Sequence, residues 1–121
     1  MSNESLERIL SSALTGFPAR VDAAYLFGSE ARGEASRGSD LDVAILLGGP
    51  RPGTLDEGGF DLAAALEATL QRPVDLVILN GAPVDLVARV LRDGRLLLDR
   101  NPSARIRFEV QARNEYFDLL P

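Results

Sequence analysis

The stretch LFGSEARGEASRGSDLDVAILL, Leu26 to Leu47, holds a Gly-Ser pair, a spacer of ten residues, and Asp-Leu-Asp at the mouth of an apolar run. Its last seven residues, Leu41 to Leu47, predict a strand buried on both faces. Asp40 and Asp42 stand at its start. In a strand, residues i and i+2 point to the same face. The two carboxylates are then about 6–7 Å apart at the backbone, while Leu41, Val43 and Ile45 point the other way, into a core. Unpaired carboxylates side by side repel, and burying them costs several kcal/mol. A divalent cation between them reverses that cost. Mg²⁺ takes oxygen ligands and is often held by one or two carboxylates plus substrate phosphates and water.

Outward from this strand, hydrophobic periodicity predicts the remaining elements. Ser5–Thr15 is a helix, with Leu6, Ile9, Leu10, Ala13 and Leu14 at helical spacing and Gly16 and Pro18 ending it. Val21–Phe27 is a strand, and a short helix or turn follows Ser29. The Gly/Pro-rich stretch Gly48–Gly59 predicts a loop. Phe60–Gln71 predicts a helix and Val74–Leu79 a third strand. Pro83 opens a further helix that closes at Gly94, and Arg95–Asp99 is a fourth strand. Asn101-Pro102 starts a last helix running almost to the end. Alternating helices and strands imply an α/β (α+β) domain with a small mixed sheet of about four strands flanked by helices. The 121 residues fit one domain, 1–121.

That order gathers a site. The link between the second and third strands contains one helix, as a parallel crossover requires. Parallel neighbours start at the same end, so Asp75 joins Asp40 and Asp42. With the first strand antiparallel to the second, Gly28-Ser29 at its end reaches the same edge. Glycine lets the backbone turn tightly and lets a phosphate approach. The Ser29 hydroxyl and N–H groups at a helix start suit phosphate oxygens. Arg32 and Arg37 either reach a triphosphate tail or are ordinary solvated charges. Two metal ions about 3.5–4 Å apart would stabilise the attacking and leaving oxygens of an in-line displacement. Asp22 and Asp85, also in Val-Asp pairs, read as surface or capping residues.

Composition narrows the chemistry. The chain has no Cys and no His, which excludes disulfides, thiolate catalysis, Cys/His zinc sites and a histidine base. A third carboxylate is then the natural acceptor for a nucleophile's proton. The net charge of -5 argues against direct nucleic-acid binding. No signal peptide and no membrane-spanning run is recognisable, so the expected location is cytoplasmic.

The motif resembles the nucleotidyltransferase superfamily that includes DNA polymerase beta, whose signature is Gly-Ser, a spacer, Asp-x-Asp and a third carboxylate on a later strand. The ten-residue spacer is similar to that of the minimal, MNT-type group. The matching residues are Gly28, Ser29, Asp40, Asp42 and Asp75. The resemblance implies the nucleotidyltransferase fold, with Asp40 and Asp42 ligating metal and Asp75 assisting metal binding and activating the nucleophile. It implies that Ser29 contacts the nucleotide phosphates, and the reading of the residues adds Gly28 and Arg32 as nucleotide-binding candidates beside it. The cofactor would be Mg²⁺, two ions, with Mn²⁺ an alternative, and ATP the substrate.

Minimal members of that group are commonly antitoxins encoded beside a helical HEPN ribonuclease toxin. The resemblance therefore implies transfer of AMP from ATP to a tyrosine hydroxyl of a HEPN-type toxin partner. The strands and helices use up the sequence, which favours a protein acceptor. The alternatives are an antitoxin that acts by binding alone, and a small-molecule nucleotidyltransferase. On the last helix, Ile106, Val110 and Phe117 form one stripe, and Phe108, Ala112 and Leu119 another. One is expected to cover the sheet and the other to face a partner.

Overall fold

The β-rich runs of the sequence pair into a single four-stranded sheet in a computed structural model describing residues 3–16, 20–28, 40–49 and 55–121. The strands are β1 (Val21–Phe27), β2 (Leu41–Leu47), β3 (Val74–Ile78) and β4 (Arg95–Asp99), in the order β3-β2-β1-β4. β1 runs antiparallel to both β2 and β4, whereas β2 and β3 are parallel. The helices are α1 (Asn3–Thr15), α2 (Leu55–Leu70), α3 (Val84–Asp93) and α4 (Pro102–Leu119). The expected mixed α/β sheet is thus present. The short helix or turn expected after Ser29 lies outside the described residues.

Strand alternation divides the core in two. Leu41, Val43 and Ile45 of β2 pack with Leu6, Leu10 and Leu14 of α1 and Leu62, Leu66 and Leu70 of α2. On the other face, Ala44 and Leu46 join Tyr25 and Phe27 of β1, Val87 and Val90 of α3 and Ala112 of α4. Each fully buried leucine contributes about 1.5–3 kcal/mol by leaving water. β2 is covered on both sides, as its apolar density predicts.

Two expectations need correction. The stretch Gly48–Gly59 is not loop throughout, because α2 begins at Leu55. Gly58 and Gly59 each weaken a helix by about 1 kcal/mol. Burial of Leu62, Leu66 and Leu70 further along outweighs that. Gln71, in the left-handed region at φ 56°, marks the helix end.

Asp22 is the second correction: it is buried, not on the surface. It sits at a register shift between Val21 and Ala23, where β1 carries one residue more than β2. Its carboxylate accepts from Arg20 Nε at 3.0 Å. Its backbone carbonyl accepts from Arg100 at 2.8 Å and Asn101 at 3.2 Å. A Cβ on Gly48 would overlap the Asp22 carboxylate, so the strand end needs glycine there. Asp85, by contrast, is exposed in the first turn of α3, as expected.

Other boundaries hold closely. β3 ends at Ile78, but the Leu79 N–H still reaches Ile45 O at 2.8 Å, extending the ladder. Asn80 continues it, accepting from Leu47 N–H at 2.8 Å and donating to Leu47 O at 3.0 Å. Asn101 caps α4 by accepting from Ala104 N–H at 3.2 Å, with Pro102 following. Both choices are those the sequence predicts.

A polar network ties α4 to the sheet. Arg105 donates to Asp99 at 3.0 Å and to Glu109 at 2.9 Å. Glu109 in turn hydrogen-bonds the Tyr25 hydroxyl. Burial pushes the Tyr25 phenol well above its ordinary pKa, and the Glu109 carboxylate adds to the rise. The folded chain therefore keeps that proton when the unfolded chain, with an ordinary value of about 10, loses it. Stability should fall as pH rises above about 10, by up to about 1.4 kcal/mol per pH unit. Every basic side chain is arginine, so no lysine titrates in that window. Urea titrations from pH 9 to 12 should show this fall, and Tyr25→Phe should flatten it. A fall that persists in the variant would place its origin elsewhere.

Candidate active site

Three strand ends meet at one rim because β1 runs against β2 and β3. Phe27 of β1 pairs with Asp42 of β2, and Asp42 pairs with Asp75 of β3. Paired residues on neighbouring strands point to the same face, with strands about 4.8 Å apart. Asp42 and Asp75 therefore lie on the face covered by α3 and α4, opposite Leu41, Val43, Val74 and Leu76. Both line a cavity of about 420 Å³ with Phe27, Gly28, Arg89 and Asp93.

Gly28 is where the chain leaves β1. Its φ of 74° lies in the left-handed region, which side chains other than glycine enter at a cost. A Cβ at this position would overlap the Asp42 carboxylate. The glycine thus serves two purposes, turning the backbone and leaving room for the acid beside it.

The expected site residues are placed unevenly. Gly28, Asp42 and Asp75 come together. Asp40 is exposed, one residue before β2, and is not among the residues lining the cavity. Ser29, Arg32 and Arg37 lie outside the described residues. Arg89 and Asp93, which no sequence motif marks, line the same cavity. Their four-residue spacing on α3 puts them on one helical face. Nothing in the sequence says that this face turns toward the carboxylates.

The cavity is acidic on balance, with three aspartates facing one arginine. Among the described residues, no three acidic or other metal-ligating side chains form a group able to hold an ion alone. Mg²⁺ does not need three: one or two carboxylates with phosphate oxygens and water suffice. Asp42 and Asp75 offer two carboxylates in one cavity, and the missing side chain at Gly28 keeps space beside them. The donor set fits a hard divalent cation brought in with a phosphate-bearing ligand.

The family described as "Polymerase beta, Nucleotidyltransferase" matches residues 7–103. The protein adenylyltransferase MntA of Shewanella oneidensis is 37% identical over 79 residues, covering 64% of this chain and 54% of that protein. The chain thus spans about half the length of that curated relative. A solved toxin–antitoxin complex with AMP-PNP contains a chain matching at TM-score 0.79 and 29% identity, covering 98% of this chain and 90% of that one. A solved structure described as a candidate minimal nucleotidyltransferase is 31% identical, with TM-score 0.65, covering 78% of this chain and 95% of its own.

Contact between Gly28 and Asp42 can be tested by energetic coupling. Gly28→Ala should cost about 1–3 kcal/mol in urea denaturation, from the positive φ and the overlap. In an Asp42→Ala background the same change should cost about 1 kcal/mol less, because only the backbone term remains. Equal costs in both backgrounds would show that the two residues do not contend for the same space.

Proposed function

This chain belongs to the polymerase beta nucleotidyltransferase family, and from that premise we propose that it transfers AMP from ATP to a tyrosine hydroxyl of a HEPN-type toxin, acting as its antitoxin. The observation that carries the reading is the pairing of Asp42 with Asp75 at the rim where β1 ends in Gly28. The MntA relative, whose name gives it as an adenylyltransferase, and the toxin–antitoxin complex with AMP-PNP support the same chemistry and partner.

In this reading Asp40, Asp42 and Asp75 hold the metal. Gly28, Ser29 and Arg32 receive the nucleotide phosphates. A bound Mg²⁺ or Mn²⁺ supplies charge stabilisation at the phosphoryl oxygens. The acceptor oxygen attacks the α-phosphorus, forming a P–O bond. The bond from that phosphorus to the oxygen bridging to the β-phosphate breaks, and pyrophosphate leaves. Asp75, exposed at the start of β3, takes the hydroxyl proton. The missing side chain at Gly28 leaves room for the Asp42 carboxylate and leaves the backbone open to a phosphate.

Incubation with α-labelled ATP, Mg²⁺ and the HEPN-type protein encoded beside this chain should label that protein. Asp40→Ala with Asp42→Ala should reduce labelling to background, and Asp75→Asn should lower it by about 100-fold or more. Chelation with EDTA should stop the reaction and added Mn²⁺ restore it. Labelling that survives the double substitution would remove the carboxylates from the chemistry. A double variant that still neutralises the toxin without labelling it would favour neutralisation by binding alone.

A further inference from the structure

Arg89 lines two cavities. One holds Asp42 and Asp75; the other, of about 510 Å³, lies between α3 and α4. This second groove is lined by Asp85, Arg89 and Arg92 from α3 and by Arg113, Tyr116 and Phe117 from α4. Arg92 is already engaged, donating twice to Asp93 at 2.9 Å. Arg89 and Arg113 are exposed and have no ion pair among the described residues. A chain of net charge -5 thus presents a basic groove beside its acidic cavity.

An apolar stripe adjoins the groove. Ile106, Val110, Arg113 and Phe117 follow one another at helical spacing on α4. Ile106 is 51% exposed, Val110 49% and Phe117 66%. The opposite side of α4 is spoken for, with Ala112 and Phe108 against the sheet. Arg113 and Phe117 belong to both stripe and groove. A single surface therefore leads from the carboxylate cavity past two unpaired guanidinium groups to exposed aliphatic and aromatic side chains. A free nucleotide would leave the stripe uncovered. A polypeptide with acidic side chains around an apolar stretch would match both parts.

We infer that this groove docks an acidic segment of the acceptor protein that flanks the hydroxyl to be modified. The inference rests on the adenylyl-transfer reading for its acceptor. The groove's preference for acidic polypeptide stands on the charges alone. Arg89, at the junction, orients the segment so that its hydroxyl enters the cavity of Asp42 and Asp75.

The test uses the full chain and two fluorescent tyrosine peptides, one flanked by aspartates and one by lysines, read by polarisation. The parent should bind the aspartate peptide at least about tenfold more tightly, with affinity falling as salt rises. Arg113→Glu should reverse the preference toward the lysine peptide, a gain that an unfolded variant would not show. Arg113→Lys should keep the parent's order. Equal binding of the two peptides, or an order unchanged by Arg113→Glu, overturns the inference. So does a dimer of the parent that Arg113→Glu dissociates, since the groove would then serve self-association. If the peptide order behaves as expected while neither peptide nor partner protein accepts label, the groove stands and the adenylyl-transfer reading falls.

Discussion

Asp42 occupies one rung of the sheet with Phe27 on one side and Asp75 on the other. That rung exists because β2 lies between strands of opposite direction. The antiparallel partner brings its end to the rim, and the parallel partner brings its start. An all-parallel sheet would separate Gly28 from Asp42 by the length of a strand. An all-antiparallel sheet would put Asp75 at the far end. The mixed pairing is therefore the condition on which the site depends, and the helix joining β2 to β3 is what makes the parallel half feasible.

Strand parity then decides what each residue of β2 can be. One face packs on leucines from α1 and α2 and tolerates only apolar side chains. The other is apolar at Ala44 and Leu46 but polar at Asp42, where the strand ends and α3 leave a cavity. A one-residue slip of β2 would turn Asp42 into the leucine core and Leu41 into the cavity. The cost of burying an unpaired carboxylate among leucines makes that register inaccessible. The same acid that suits the site thus helps to hold the strand in place.

Polar groups inside the fold serve as joints. Asp22 occupies the extra position of β1, taking Arg20 on its carboxylate and two backbone donors on its carbonyl. Asn80 completes the β2 edge beyond the last residue of β3. Arg105 and Glu109 fasten α4 against the strands through Asp99 and Tyr25. At these joints the polar groups named have partners near at hand, which is what a buried polar group requires. α4 is held by its inner face and its network, so its outer face, with Ile106, Val110 and Phe117, is left to solvent.

By itself the sequence determined the alternation of strands and helices, the double-sided burial of β2, and the grouping of Gly28, Asp42 and Asp75. Those follow from periodicity and spacing, which act over short distances along the chain. The helix cap at Asn101 and the two stripes of α4 were readable for the same reason, although Leu119, grouped with the inner stripe, proves exposed. Only tertiary structure decided which stripe faces inward, because the choice depends on what lies across the sheet. It also decided that Asp22 is buried and that the glycines at the start of α2 are helical, where packing downstream outweighs local preference. The same holds for Arg89 and Asp93 beside the carboxylates: α3 has two faces, and its sequence marks the apolar one but not what the other will meet.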